Sequence, residues 1–279
     1  MCRFARAALL AALVAAPPLS AQSYGQVKGM NERFRMDFGG FFQDFTTTFR
    51  LDPANGSGTE ISFEDDLGYD TRKTSFRTDG YWRFGPRGRM DFAYTTFRRG
   101  STHTLDRDFV VGETTYHAGV SIDSTSRVDV GELYYSYSLL NSGEAEVGLM
   151  LGASTFFTRW EFEGTGTITG GGGSQSGSFQ KETSDLIVPI PAIGAHLRYT
   201  LLPGFFAHGR VKWMKATISD YTGSMLDWRA GLDYFFTPNF GIGAVYSQTD
   251  INVTKHADKG DVAFDYKYNG PVGYLSIAF

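Results

Sequence analysis

Between Thr74 and Phe84 the chain changes character at every residue. Thr74, Phe76, Thr78, Gly80, Trp82 and Phe84 fill the even positions, and Ser75, Arg77, Asp79, Tyr81 and Arg83 the odd ones. Successive side chains of a β-strand point to opposite faces, so this segment has one face for apolar surroundings and one that carries full charges. The split recurs in Met90, Phe92 and Tyr94 against Arg89, Asp91 and Arg99, and in Ile193, Ala195, Leu197 and Tyr199 against His196 and Arg198. It returns in Ala207, Gly209, Val211 and Trp213 against His208, Arg210 and Lys212, then in Leu226, Trp228, Ala230, Leu232 and Tyr234 against Asp227, Arg229 and Asp233. A water-soluble sandwich also alternates. The density of full charge on one face and its near absence on the other favour a closed sheet with lipid outside and a polar lumen inside.

The rest of the chain is consistent with strands as the only way across a membrane. Beyond residue 21 there is no uninterrupted apolar run of roughly 18 residues, the length a spanning helix needs. Aromatic residues make up 15% and glycine 34 positions while hydrophobic content stays at 42%, a mixture suited to a barrel in which every second residue meets lipid. At the start, Arg3 and Arg6 precede an apolar run from Ala7 to Ala16, then Pro17, Pro18, Ser20 and Ala21, the layout of a secretory signal peptide cleaved after Ala21. The expected organisation is therefore a signal peptide over 1–21, a short periplasmic segment over 22–32 and a barrel domain over 33–279. Cys2 is the only cysteine and lies in the signal, which excludes a disulfide framework in the mature chain. The net charge of −4, or −6 without the two signal arginines, argues against nucleic acid as a partner.

Turn chemistry sets the strand count. Gly85-Pro86-Arg87-Gly88, Asn141-Ser142-Gly143, Leu202-Pro203-Gly204 and Thr237-Pro238-Asn239 are tight-turn candidates. They divide the chain into strands near 33–50, 72–84, 89–105, 125–140, 145–162, 184–201, 205–219, 224–236, 240–252 and 262–279. The fold class is all-β: a closed antiparallel transmembrane barrel of ten strands, with both termini on the periplasmic side. Twelve strands follow if Thr59 to Glu64 adds one with a partner, and eight if two outer segments are misassigned. Phe84 and Phe92, Tyr199 and Phe205, and Tyr234 and Phe240 flank the turns and, with Phe34 and Phe279, form an aromatic girdle at one level. The Gly/Ser-rich stretch from Gly164 to Gly177 reads as a mobile loop, and the exposed loops as 52–71, 106–124 and 164–183.

The last residues, Gly273-Tyr274-Leu275-Ser276-Ile277-Ala278-Phe279, put Gly273, Leu275, Ile277 and Phe279 on one face and stop on an aromatic. This resembles the C-terminal assembly signal of outer-membrane β-barrels, carried by Leu275, Ile277 and Phe279. With the signal peptide and girdle, the chain resembles small OmpA-like or OmpW-like outer-membrane barrels in architecture. The resemblance implies location in the outer membrane and partnership with outer-membrane lipids, lipopolysaccharide and the barrel-assembly machinery. It implies a monomer acting as a narrow channel, an envelope component or a surface-interaction protein.

The lumen charges are the most informative candidates. Arg33, Arg35, Lys73, Arg77, Arg83, Arg89, Arg99, Arg198, Arg210, Lys212 and Arg229 are placed inward, as are Asp37, Asp79, Asp91, Glu132, Glu146, Asp227 and Asp233. A turn centred on Arg87 sets Arg83 opposite Asp91, and Arg210 and Lys212 neighbour Asp227 and Asp233. A barrel this small is nearly filled by side chains, so a structural ion-pair core is favoured over a conducting path. His196 and His208 face inward on neighbouring strands as polar filler. Glu64-Asp65-Asp66-Leu67-Gly68-Tyr69-Asp70 is a solvated acidic loop rather than a defined metal site. Pro189 and Pro191 remove ladder donors and call for a bulge or an early end to pairing. Asn269-Gly270-Pro271 calls for a one-residue bulge, because the aromatic face of Phe264, Tyr266 and Tyr268 is out of phase with Leu275, Ile277 and Phe279. For an enzyme, His103 lies beside Thr102 and Thr104, His117 is isolated, and His256 has Asp258 nearby but no serine. No catalytic, cofactor or metal site is expected.

Overall fold

The computed structural model describes residues 32–52, 58–111, 114–170, 173–218, 220–256 and 261–279. The expected signal peptide lies outside them, as does the segment that follows it up to residue 31. Among the described residues there are thirteen strands: β1 (Phe34–Leu51), β2 (Ile61–Ser62), β3 (Arg72–Arg83), β4 (Gly88–Thr104), β5 (Phe109–Val111), β6 (Thr114–Tyr116), β7 (Ser121–Asn141), β8 (Ala145–Gly170), β9 (Gly173–Leu202), β10 (Phe205–Ile218), β11 (Tyr221–Phe235), β12 (Phe240–Lys255) and β13 (Val262–Ala278). The ten long strands pair antiparallel in chain order, and β13 returns to β1 through pairs such as Phe38↔Leu275 and Phe45↔Tyr268. Closure leaves no edge at this seam and satisfies the backbone without solvent, which is what lipid demands of a spanning sheet. The Thr59–Glu64 region contributes the two-residue β2, which pairs with Thr48 and Phe49 of β1 and adds no barrel strand.

The tight turns gather at one end, together with Arg33 and Phe279. Phe84 donates to Gly88 O across the first turn (3.2 Å), and Phe236 to Phe240 O across the last (3.2 Å). Between β9 and β10, Gly204 has φ +79°, and a Cβ there would lie 2.7 Å from Phe235 O, so the turn admits only glycine. Around this end the outward aromatics form the girdle: Trp82 packs on Phe84 (5.9 Å), Phe84 on Tyr135 (5.9 Å), Phe34 on Phe92 (6.4 Å) and Phe205 on Tyr234 (6.4 Å). Above it the outside stays apolar: Leu149, Leu151, Ile193, Trp213 and Leu275 are half or more exposed, whereas inward Glu146, Lys212 and Asp233 are at most 1% exposed. Exposed apolar and buried charged side chains reverse the order of a water-soluble protein, and the inversion is stable only in lipid.

Two local expectations need correcting, and a third is met on one side of its strand. The Gly/Ser-rich stretch is not a loop: β8 and β9 continue through it as one hairpin, with Thr165↔Ser178, Gly166↔Gly177 and Gly170↔Gly173 in register. An established ladder extends through residues of low strand preference because each new pair adds a hydrogen bond at little further entropic cost. No bulge interrupts β13, whose registers with β1 and β12 run unshifted past Asn269-Gly270-Pro271. The aromatic face of Phe264, Tyr266 and Tyr268 is simply the lumen face, in phase with Tyr274 and Ser276; the lumen turns apolar there, so no re-phasing is needed. At Pro189 and Pro191, β9 stays paired with β8, and the early end is on the other side, where the register with β10 stops at Ile193↔Trp213.

The closing seam gives a direct test. Phe38→Cys with Leu275→Cys is expected to cross-link on oxidation of the folded barrel, whereas Phe38→Cys with Ser276→Cys, whose side chains face opposite sides, is not. Non-reducing electrophoresis reads the difference, and equal cross-linking of both pairs would contradict the register.

Candidate functional site

The candidate site is the lumen, and it is filled in layers. At the turn end Arg35 makes a two-pronged contact with Asp233 (2.8 and 2.9 Å) and bonds Asp37 (2.8 Å). Tyr274 donates to Asp233 (2.7 Å), Ser276 to Asp37 (2.6 Å), and Arg198 to Glu32 (2.6 Å), which also accepts from the Tyr81 hydroxyl (2.6 Å). Phe206 and Phe235 close the floor, with the Arg198 guanidinium 4.6 Å above the Phe206 ring and Arg35 5.4 Å above Phe235. Beside this cluster, Glu146 receives Arg83 (2.9 Å), Arg89 (3.2 Å) and the Ser138 hydroxyl (2.5 Å). Asp91 is bonded by Arg89 (3.1 Å) and by Ser136.

A third cluster lies deeper. Glu132 collects Lys212 (2.7 Å), Arg210 (2.9 Å) and Arg77 (3.3 Å), and Asp79 collects Arg229 (2.7 Å) and Arg77 (2.8 Å). Lys212 also faces Asp227 (3.0 Å), to which Thr249 donates (2.7 Å). The three clusters together hold eight basic and eight acidic side chains, so the charged half of the lumen is formally neutral. Between them is a cavity of about 70 Å³, lined by Arg35, Asp79, Tyr81, Arg198, Arg210 and Arg229 among others.

Above the charges the lumen is apolar. Phe41, Phe45, Phe97, Tyr134, Tyr268 and Met225 are buried within it, with Phe97 and Tyr268 5.0 Å and Phe45 and Phe97 5.5 Å apart. A folded cap then closes the far end. Ile61, Phe63, Leu67, Tyr69, Leu105, Phe109 and Val120 make a second core over the barrel mouth. Glu64 reaches down from it, bonding Arg99 (2.5 Å) and the Thr47 amide (2.7 Å), and the Arg99 guanidinium lies 4.3 Å from the Phe45 ring centroid.

The sequence placements compare as follows. Lys212 and Asp227 do meet across β10 and β11, where they are register partners. Asp233 instead sits opposite Phe206 and pairs with Arg35. Arg83 does not meet Asp91, because the register sets Arg83 opposite Arg89 and Asp91 opposite Tyr81; Arg83 reaches across the lumen to Glu146. Arg33 and Lys73 are exposed rather than luminal. His196 lies 3.6 Å from Glu146, and His208 contacts Tyr274 (2.9 Å) and Asp233 (3.4 Å), so the two serve separate clusters. The acidic segment is not merely solvated, since the Glu64 side chain is covered and Asp66 accepts from the Ser62 amide (2.8 Å) and from Arg107 (3.0 Å). Among the described residues no group of three or more His, Cys, Asp or Glu is arranged to hold a metal ion.

His117 is not isolated. Its Nδ1 lies 3.0 Å from Asp108 and its Nε2 2.8 Å from the Thr169 hydroxyl, so two loop residues and one residue near the end of β8 fall in line. The Ala118 amide and, next, His117 hold the exposed Asp108 carboxyl below its ordinary range. Neither Glu32, the Tyr and Ser hydroxyls nor Thr169 stood out in the sequence, because each acts through a partner that only the folded chain brings near.

No protein-family model matches the sequence, and no curated protein matches it. Among solved structures, the outer membrane protease OmpT of Escherichia coli aligns with TM-score 0.59 and 13% identity over 93% of this chain and 99% of its own. The translocator domain of the autotransporter NalP from Neisseria meningitidis aligns with TM-score 0.44 and 11% identity, covering 90% of this chain and 91% of its own. At such identities the likeness is one of fold: an outer-membrane-type β-barrel.

Breaking a buried ion pair leaves a charge without compensation at a cost of about 3–5 kcal/mol. Asp233→Asn, which takes from Arg35 its two-pronged partner and leaves only Asp37, is expected to lose stability in that range when guanidinium unfolding is followed in lipid vesicles. A loss below ~1 kcal/mol would show that the clusters are not structural.

Proposed function

We propose that the chain is an outer-membrane barrel shut to solutes, its turn end in the periplasm, acting as an envelope-structural or surface-interaction protein through its outer cap and long hairpin. The observation that supports this reading is the stacking of three charge clusters that together are neutral, an aromatic layer and a folded cap along one lumen. A conducting path needs continuous water, and each layer interrupts it by a different means: charge pairing, apolar packing and a cap with its own core. What remains accessible is the far end, where β8 and β9 extend beyond the point at which β10 leaves them.

The reading separates from a narrow passive channel by conductance. Refolded protein in a planar bilayer is expected to stay silent across salts and voltages, and to stay silent when residues 58–71 are deleted, because the Phe41–Phe45–Phe97–Tyr268 layer still closes the lumen. Discrete ion-selective steps from the intact protein would favour the channel. Trimming the cap and the outer part of the β8–β9 hairpin is expected to abolish adhesion of cells carrying the protein while heat-dependent mobility of the folded barrel persists. Unchanged adhesion would remove the surface role.

A second reading, a barrel hydrolase, draws on the Asp108–His117–Thr169 alignment, because carboxylate, imidazole and hydroxyl in this order are the arrangement that activates an alcohol nucleophile. It requires fluorophosphonate labelling of the folded protein that disappears in Thr169→Ala. No labelling of the native protein would retire it.

A further inference from the structure

The cavity of about 70 Å³ between the charge clusters has an uneven wall. Register sets His196 of β9 directly opposite Arg210 of β10, and Arg210 directly opposite Arg229 of β11. One row nearer the turns, Arg198 lies opposite His208, and His208 opposite Gly231. Across these two inward rows the three strands present five nitrogen-bearing side chains and no carboxylate. All five side chains line the cavity.

The acids that pair with this patch come from other parts of the chain. Asp79 of β3 accepts from Arg229 (2.7 Å), Arg77 (2.8 Å) and Arg210 (3.4 Å), and Glu132 of β7 from Arg210 (2.9 Å). Each guanidinium is paired, yet not all of its donors are used. Arg198, 4% exposed, gives Nη1 to Glu32 (2.6 Å) and to the Tyr81 hydroxyl (3.1 Å). Its Nε and Nη2 have no hydrogen-bond partner in the protein, the nearest carboxylate being Asp233 at 3.8 Å from Nη2. Nε of Arg210 and both ring nitrogens of His196, 5% exposed, are likewise unfilled. Among the residues lining the cavity, every buried side-chain polar atom left without a partner is a nitrogen. Buried polar groups are almost always hydrogen-bonded, so these nitrogens call for an acceptor.

We propose that this cavity binds a small inorganic oxyanion, phosphate or sulfate, held by the free fork of Arg198 and by Arg210 and His196. Nε and the adjacent Nη2 are the side of a guanidinium that grips two oxygens of one oxyanion through paired, charge-assisted hydrogen bonds. A halide has no pair of acceptor atoms to match that fork. Water is the other candidate occupant, but a water that accepts from these nitrogens must turn its own hydrogens on acceptors. The carboxylates of the lining already serve other donors: Asp79 as above, Asp91 from Arg89 and Ser136, Asp37 from Arg35 and Ser276. An oxyanion only accepts. Its charge is met by a lining of five guanidiniums against three carboxylates. Bound there, it fills the open space in the charged half of the lumen, so the site adds to closure rather than to passage. The inference does not depend on the surface role proposed above.

The test is equilibrium dialysis of the refolded full-length barrel, in non-ionic detergent and chloride buffer of constant ionic strength, against radiolabelled phosphate and, separately, radiolabelled sulfate. One equivalent of at least one of the two is expected to bind, and the tighter binder identifies the ligand. The unlabelled oxyanion is expected to displace it, and the same concentration of added chloride is not. Arg198→Lys, which keeps a cation facing Glu32 but loses the fork, is expected to weaken binding about tenfold. Lys73→Gln, at an exposed position away from the cavity, is expected to leave binding unchanged. Should Arg198→Lys not fold, as read by heat-dependent mobility, Arg210→Lys, which keeps a cation facing Glu132 but loses Nε, decides with the same expected loss. No bound label on the folded native barrel would overturn the proposal and leave water as the occupant. Equal binding by native and variant barrels, or displacement by chloride, would overturn it as well.

Discussion

A charge taken out of water must meet an opposite charge and have its remaining hydrogen bonds filled, and the interior of this barrel is organised by that requirement. Glu132 shows how it works: Arg77 on one side and Arg210 and Lys212 on the other reach it from strands far apart in sequence. Asp79 does the same for Arg77 and Arg229. These contacts cross the lumen, so they tie together walls that the ladder hydrogen bonds connect only around the circumference. Such a network need not exceed an apolar core in net stability. It does oblige every member to be present, because losing any one leaves a buried charge exposed to its neighbours.

The two halves of the lumen meet this constraint differently. Near the turns, where girdle aromatics fix the wall, the space is filled by paired charge. In the middle, Phe41, Phe45, Phe97 and Tyr268 replace charge with rings, and the guanidiniums that border them lie against aromatic faces, as Arg77 does at 6.0 Å from Phe41 and Arg99 at 4.3 Å from Phe45. The cap completes the series by lowering Glu64 onto Arg99, so that the last luminal cation is neutralised by the loop that covers it.

The alternation of residues 74–84 and its repeats made the strand count, the closure and the inward direction of most charges legible, because face is a local property of a strand. Partner choice was not. Arg83 and Asp91 look like a hairpin pair, yet the four-residue turn sets Arg83 opposite Arg89, and the actual partner, Glu146, comes from two strands farther along the wall. The apolar middle of the lumen was hidden for the opposite reason. Tyr266 and Tyr268 look lipid-facing if every aromatic face is assumed to meet lipid, and that assumption alone produced the expected bulge at Gly270. Composition likewise misled at 164–177, where glycine and serine continue a ladder that their neighbours began.

The central claim is that side chains, not water, fill this lumen, and accessibility of one inward position tests it most directly. Thr249 points inward beside Asp227 and is 1% exposed, and the one cysteine of the sequence, Cys2, is replaced by serine for the test. Thr249→Cys in a barrel reconstituted into vesicles is predicted to resist a small, charged maleimide applied from either side, while Ser142→Cys in a turn reacts fully. Labelling of Thr249→Cys at a rate near that of the turn position would mean a water-filled path and would contradict the account.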